Sequence, residues 1–247
     1  MREERIYRSW VGGEDLVKFR VVETETDLLI SAERDLSKEA MDSIKRYRDQ
    51  IKDYIVNDPK FESSLEPVEI KEDAPPIVKD MARQAKVANV GPMAAVAGAV
   101  AEYVGKDLLI YSAEVIVENG GDIFIKSSKP RTIAIYAGSS PLTGKIALKV
   151  SVDQMPLGVC TSSGTVGHSI SFGKADSVTA LSESTSLADA VATATCNLVK
   201  DEGDIERGIR FARKFEGIKG VAIIVGDRIG AWGDFEVIPV GGSDPIR

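Results

Sequence analysis

The chain has 247 residues, with 38 acidic against 31 basic side chains and a formal net charge of −7, so it offers no broad basic surface for nucleic acid. Two cysteines without a CxxC partner give no argument for a disulfide framework or a zinc knuckle, and a single histidine excludes any site built on two imidazoles. With 43% hydrophobic and 28% charged residues there is ample apolar material for a core, and disorder is not expected.

In chain order, Met1-Arg2-Glu3-Glu4-Arg5 leads into no apolar signal core, and no run approaches the about eighteen consecutive apolar residues of a membrane span. A cytoplasmic protein without membrane contacts is therefore expected. From Ile6 to about Ser31 apolar and polar residues alternate, through Val17–Val21 and Asp27–Ile30, predicting half-buried strands joined by a turn at Thr24–Asp27. Asp35 and Ser37 are suited to cap a helix over Lys38–Ile55, which Asn57-Asp58-Pro59 ends. Residues 58 to 73 are polar and proline-bearing and are expected to form a surface connection.

Pro75-Pro76 opens a helix through Ile77, Met81 and Ala85. After Gly91-Pro92, the run Met93–Ala101 is small and apolar on every side and predicts a buried central helix. Short β-rich runs follow at Val115–Val117, Asp122–Ile125, Thr132–Tyr136 and Ile146–Val150, read as a sheet of successive strands. An alanine-rich helix from Ser186 to about Val199, a more amphipathic one over Ile205–Phe215, and strands at Gly220–Val225 and Phe235–Ile238 complete the pattern. It predicts an α+β fold of largely antiparallel sheets packed on buried alanine-rich helices, in one domain over residues 1–247. The two alanine-rich helices hint at an internal duplication. Cys160 and Cys196 are expected as buried thiols, and Trp10 and Trp232 as packing residues.

Three stretches carry chemistry. Glu118-Asn119-Gly120-Gly121-Asp122 places adjacent glycines between two apolar runs, where backbone can approach a ligand while Asn119 and Asp122 flank it; an ordinary hairpin turn is the plain alternative. Thr161-Ser162-Ser163-Gly164-Thr165-Val166-Gly167-His168-Ser169 gathers hydroxyls and glycines that suit phosphate oxygens without the lysine of a P-loop, and His168 can act as a general base. In Leu187–Ala194, Asp189 and Thr193 share one helix face and offer the oxygen donors that Mg²⁺ accepts; against this stands an acidic residue favoured by the helix dipole beside a back-bonded threonine. A Ser-His-Asp triad from Ser163 or Ser169, His168 and Asp176 or Asp189 lacks the GxSxG elbow, and nothing in the sequence joins Cys160 to His168.

These blocks, with Gly91-Pro92-Met93-Ala94-Ala95-Val96-Ala97-Gly98-Ala99 before them, resemble in the same order the signature blocks of an uncharacterised prokaryotic family of ApbE-like proteins, over nearly the whole chain. More distantly they resemble the FAD:protein FMN transferases of ApbE type, which bind FAD and Mg²⁺ and attach FMN to a threonine or serine of a target protein. The Gly-Gly-Asp, Thr-Ser-Gly, histidine and Ala-Asp-Ala-Leu-Ala-Thr blocks of those enzymes find counterparts in Gly120-Gly121-Asp122, Ser162-Ser163-Gly164, His168 and Ala188–Thr193. The resemblance implies an ApbE-like fold, Asp189 and Thr193 as Mg²⁺ ligands and His168 as catalytic base. It also implies that Asn119, Gly120, Gly121, Asp122, Thr161, Ser162, Ser163, Gly164 and Thr165 surround FAD. Where those enzymes follow the histidine with Ile-Asp-Pro-x-Thr-Gly, this chain has Ser169-Ile170-Ser171-Phe172-Gly173-Lys174. Their export signal and lipid anchor are not expected here.

The sequence thus predicts a flavin- or nucleotide-binding transferase of phosphoryl or FMN groups, with a phosphorylated small molecule as ligand and an acceptor protein as partner. The main alternative is a non-catalytic binding protein for a phosphorylated small molecule. A third reading makes the alanine-rich helices the interface of a homo-oligomer.

Overall fold

The computed structural model describes residues 15–165 and 172–240. The alternating N-terminal segment forms a hairpin of β1 (Val17–Glu23) and β2 (Thr26–Ala32), closed at Thr24 with a φ of 51°. Helix α1 (Ser37–Asn57) follows, with Asp35 Oδ1 accepting the Ser37 amide at 2.8 Å. The polar stretch after it is more than a surface connection. A one-turn helix α2 (Lys60–Ser63) buries Phe61 completely, and its ring meets Tyr54 of α1 edge-on at 5.2 Å. One aromatic in a polar run is enough to pin it to the core, because a buried ring offsets the ordering of its few neighbours.

Helix α3 (Pro76–Ala88) starts on its proline and stops at Asn89, which adopts the left-handed conformation that asparagine tolerates. A 3₁₀ turn (Pro92–Ala95) then leads into α4 (Val96–Leu108). The run Met93–Ala101 is not buried all round: Met93, Ala94, Val96 and Ala97 are half-exposed, and burial becomes complete only from Gly98 onward. Gly98 is where α4 crosses α5 (Thr185–Leu198), since a Cβ there would stand 2.5 Å from the Thr185 carbonyl oxygen.

The central sheet takes β1-β2-β3-β4-β7-β8-β9-β10, with β3 (Val115–Asn119), β4 (Asp122–Lys126), β7 (Leu157–Ser162), β8 (Ser177–Ser182), β9 (Ile218–Val225) and β10 (Arg228–Gly233). Every pairing in it is antiparallel. The successive strands expected in the middle of the chain divide between two sheets. β5 (Arg131–Ala134) and β6 (Ile146–Val150) pair with β11 (Glu236–Pro239) in a separate three-stranded sheet. The departure begins at buried Arg131, whose Nη2 donates to Glu114 at 2.7 Å and whose Nε donates to Ser127 at 2.8 Å, turning the chain across the face of the large sheet.

Two apolar layers result. Helices α1, α4 and α5 cover one face of the large sheet, with Leu28, Ile30, Val117, Phe124 and Val178 beneath them and α3 packed against the helices. The small sheet covers the other, over Ile123, Ile125, Leu157, Val159 and Leu181. Strands β8 and β10 carry weak strand signatures. β8 owes its conformation to burial on both faces, and β10 contains two glycines, so neighbours rather than propensity select the strand. Helix α6 (Ile205–Ala212) packs beside β9 and β10, and Trp232 lies half-buried there under the Arg213 guanidinium. Both cysteines are buried thiols. No single helix among the described residues is long and apolar enough to cross a membrane.

Candidate functional site

The Asn119–Asp122 block closes β3 onto β4 as a two-residue hairpin, with Asn119 and Asp122 opposite each other. Gly120 and Gly121 take φ values of 67° and 107°, which only glycine adopts without strain. A Cβ on either would meet nothing within 4 Å, so these glycines serve the turn and leave open space above it. The Gly121 amide donates to Glu118 Oε1 at 2.9 Å, closing the turn from within. Asn119 reaches the helix layer, its Nδ2 donating to the Ala97 carbonyl at 3.0 Å.

Asp122 begins β4 and points into that layer, where its Oδ1 accepts the Thr161 amide at 3.2 Å. From above, α5 brings Asp189, whose Oδ2 accepts the amide of Gly98 in the first turn of α4 at 2.9 Å. The N-terminal amides of α4 are thus occupied by a carboxylate of the protein. Those of α5 are too, since Glu102 Oε2 accepts from Thr185 at 2.7 Å and Ser186 at 3.3 Å. Phosphate binding at either helix start is therefore pre-empted.

Asp122 and Asp189 are both buried, and Cys160 lies completely buried beside them, its Sγ donating to the Thr185 carbonyl at 3.3 Å. Burial pushes the Asp122 carboxyl up to about 7 from an ordinary 3.8, against the pull of the Thr161 amide and with some help from Glu118. Burial also pushes Asp189 well above the usual carboxylate range, and the facing charge of Asp122 adds to the shift. The Cys160 thiol rises by burial first and then by the two carboxylates. Two carboxylates this close in an apolar setting cannot both ionise cheaply unless a cation joins them. Among the described residues, no cationic side chain pairs with either.

The donor set fits a hard divalent ion. Thr193, nearly buried, stands one turn beyond Asp189 on the same face of α5. Ser162 stands two residues beyond Cys160 on the helix-facing side of β7, and its buried Oγ has no hydrogen-bond partner among the described residues. The described side chains supply no group of three or more His, Cys, Asp or Glu able to hold a metal. The carboxylate and hydroxyl oxygens present are of the type that hard divalent ions accept.

The serine-rich loop divides by strand alternation. Thr161 faces the opposite layer, where its hydroxyl meets that of Thr179 at 2.9 Å, and only its amide joins Asp122. Ser163 and Thr165 form a local turn, the Thr165 amide donating to Ser163 Oγ at 3.1 Å and the Thr165 hydroxyl donating to Asp176 at 3.0 Å. Gly164 is held against the returning chain, its amide donating to the Ala175 carbonyl at 2.9 Å. His168 lies outside the described residues, as do Val166, Gly167, Ser169, Ile170, Ser171 and Trp10. Sequence reasoning missed Cys160 as neighbour to both carboxylates, and missed Asn197. Asn197 follows Thr193 by one further turn of α5, and its Oδ1 accepts the Phe172 amide at 2.8 Å. The spacing 189-193-197 was the available signal.

A family model described as AbpE bacteria matches residues 8–216. The chain is 40% identical over 222 residues to a UPF0280 protein of Methanocaldococcus jannaschii, covering 87% of this chain and 90% of that protein. It is 41% identical over 228 residues to a UPF0280 protein of Methanopyrus kandleri, covering 88% and 91%. Among solved structures, the flavinyl transferase ApbE of Pseudomonas stutzeri in its apo form is similar with a TM-score of 0.60 at 15% identity, over 88% of this chain and 94% of that one. The flavin transferase ApbE of Vibrio cholerae is similar with a TM-score of 0.59 at 16% identity, over 88% and 96%. At such identities the likeness shows a common fold.

Proposed function

Because this chain belongs to the AbpE bacteria family, with UPF0280 proteins among its relatives, we propose that it is a Mg²⁺-dependent transferase acting on FAD or a related nucleotide. The donated group would be FMN, or another phosphoryl-linked nucleotide portion, and the acceptor a hydroxyl on a partner protein. The observation that carries this reading is the buried pair Asp122 and Asp189, facing each other across the sheet and helix layers of an ApbE fold.

Asp189 and Thr193, with Asp122 beside them, would hold Mg²⁺, which when bound neutralises pyrophosphate charge. The Asn119–Asp122 turn would bound the ligand on one side, and Ser162, Ser163, Gly164 and Thr165 on the other, with the Ser162 hydroxyl available to a phosphate oxygen. His168, placed by the sequence after that loop, takes the proton of the acceptor hydroxyl. The acceptor oxygen then forms the new bond to the flavin phosphorus, the pyrophosphate bridge breaks and AMP leaves.

Titration with FAD in the presence and absence of Mg²⁺ tests this reading. Binding should need the metal and weaken by about 100-fold or more in Asp189→Asn. His168→Ala should keep affinity while lowering transfer by about 100-fold or more. FAD binding that is indifferent to Mg²⁺ would sink the metal role. Binding by the wild type without transfer to any hydroxyl acceptor would move the protein to a non-catalytic carrier.

A further inference from the structure

Phe172 is 59% exposed, yet both its amide and its carbonyl are hydrogen-bonded to side chains. Its amide donates to Asn197 Oδ1 at 2.8 Å and its carbonyl accepts the Lys200 ammonium. The next residue, Gly173, lies so close to α5 that a Cβ on it would stand 1.7 Å from the Cys196 carbonyl oxygen. The Lys174 amide then donates to the Val199 carbonyl at 2.8 Å. On the other side Gly164 touches Gly173, since a Cβ on Gly164 would stand 2.2 Å from the Gly173 carbonyl oxygen. The end of α5 and the loop after β7 therefore fix the Phe172 main chain at several points while its ring projects to solvent.

This anchoring is aligned with the candidate metal site. Asp189, Thr193 and Asn197 occupy successive turns of one helix, and the residue that pins Phe172 lies about 12 Å along the axis from Asp189. A nucleotide held by its phosphates at the Asp189 end carries its ring system that kind of distance away. A side chain with two rotatable bonds on a fixed backbone loses little freedom when a ring settles on it.

We infer that Phe172 is the stacking platform for the planar ring system of the phosphorylated ligand, flavin or purine, with Asn197 and Lys200 as its positioning residues. The inference rests on the reading of Asp189 and Thr193 as the phosphate end. It assigns to the described stretch Phe172–Lys174 a part in choosing ligands with aromatic rings.

The test uses the full chain with Mg²⁺, titrated with FAD while flavin fluorescence is followed, in wild type, Phe172→Ala, Phe172→Trp and Asp189→Asn. Phe172→Ala should weaken FAD binding by about 5- to 100-fold and relieve quenching of the bound flavin, with its thermal midpoint unchanged. Phe172→Trp should restore both affinity and quenching. Unchanged affinity and quenching in Phe172→Ala, alongside wild-type binding that Asp189→Asn abolishes, overturns the platform and leaves the metal end standing. A wild type that binds no FAD overturns both.

Discussion

Two carboxylate clusters in this molecule, one around buried Glu114 and one around buried Asp122 and Asp189, meet opposite fates. Where β3 and β5 begin, Glu114 and Asp15 share the buried guanidinium of Arg131, at 2.7 and 2.5 Å, with Lys129 adding a second cation to Asp15 at 2.7 Å. Burial alone would raise Glu114, but hydrogen bonds from Ser127, Ser128 and Arg131 outweigh it and bring the carboxyl down to about 2. Across the sheet, Asp122 and Asp189 are as buried as Glu114, receive backbone amides and, at Asp122, the Cys160 thiol but no cation among the described residues, and are both pushed up, first by burial. The first cluster is complete in itself and holds a chain turn. The second leaves two buried carboxylates pushed up with no cationic side chain beside them among the described residues, and the proposed function rests on that contrast.

The comparison is easiest to break at Arg131. Arg131→Met leaves Glu114 buried without its cation and should cost about 3–5 kcal/mol in chemical denaturation, the largest single effect expected. Asp122→Asn should do the reverse, raising the thermal midpoint in metal-free buffer. A loss of stability there as large as that of Arg131→Met would remove the distinction between the clusters.

Titration separates the two clusters on the pH axis. The folded Asp122 carboxyl sits near 7 against an ordinary 3.8, so its contribution is complete below about 3.8 and is lost as pH rises through about 7. The folded Glu114 carboxyl sits near 2 against an ordinary 4.5, so its contribution is present above about 4.5 and is lost as pH falls toward about 2. Thermal midpoints should therefore fall on both sides of a maximum between these limits. Mg²⁺ should lift the alkaline side alone, and Asp122→Asn should flatten that side. An alkaline side that Mg²⁺ does not move would contradict the cation reading. The smallest effect is expected at the turn itself: Gly121→Ala, at a φ of 107° with open space around it, should cost about 1–2 kcal/mol of strain, measured by denaturant unfolding.

Much of this was legible in the sequence. Helical spacing located α1, α3 and α5 closely, and Asn119-Gly120-Gly121-Asp122 announced its hairpin because adjacent glycines admit the positive φ values it needs. Three features were hidden for different physical reasons. Ser177–Ser182 looks like a polar loop and becomes β8 only because two layers bury it; Phe61 turns a polar connection into a core contact; and the swing of β5 and β6 into a second sheet depends on a buried ion pair between residues 17 positions apart. At the site, helix periodicity joined Asp189 to Thr193, whereas the meeting of Asp189 with Asp122, Cys160 and Gly98 is a tertiary fact that no local pattern encodes.

The central claim is that the Asp122 and Asp189 pair is the metal end of a flavin-nucleotide site. Calorimetric titration of FAD into the full chain near neutral pH, with and without Mg²⁺ and in wild type and Asp189→Asn, tests it most directly. The account predicts heat of binding only with Mg²⁺ and only in the wild type; equal binding in all four experiments, or binding in none, would contradict it.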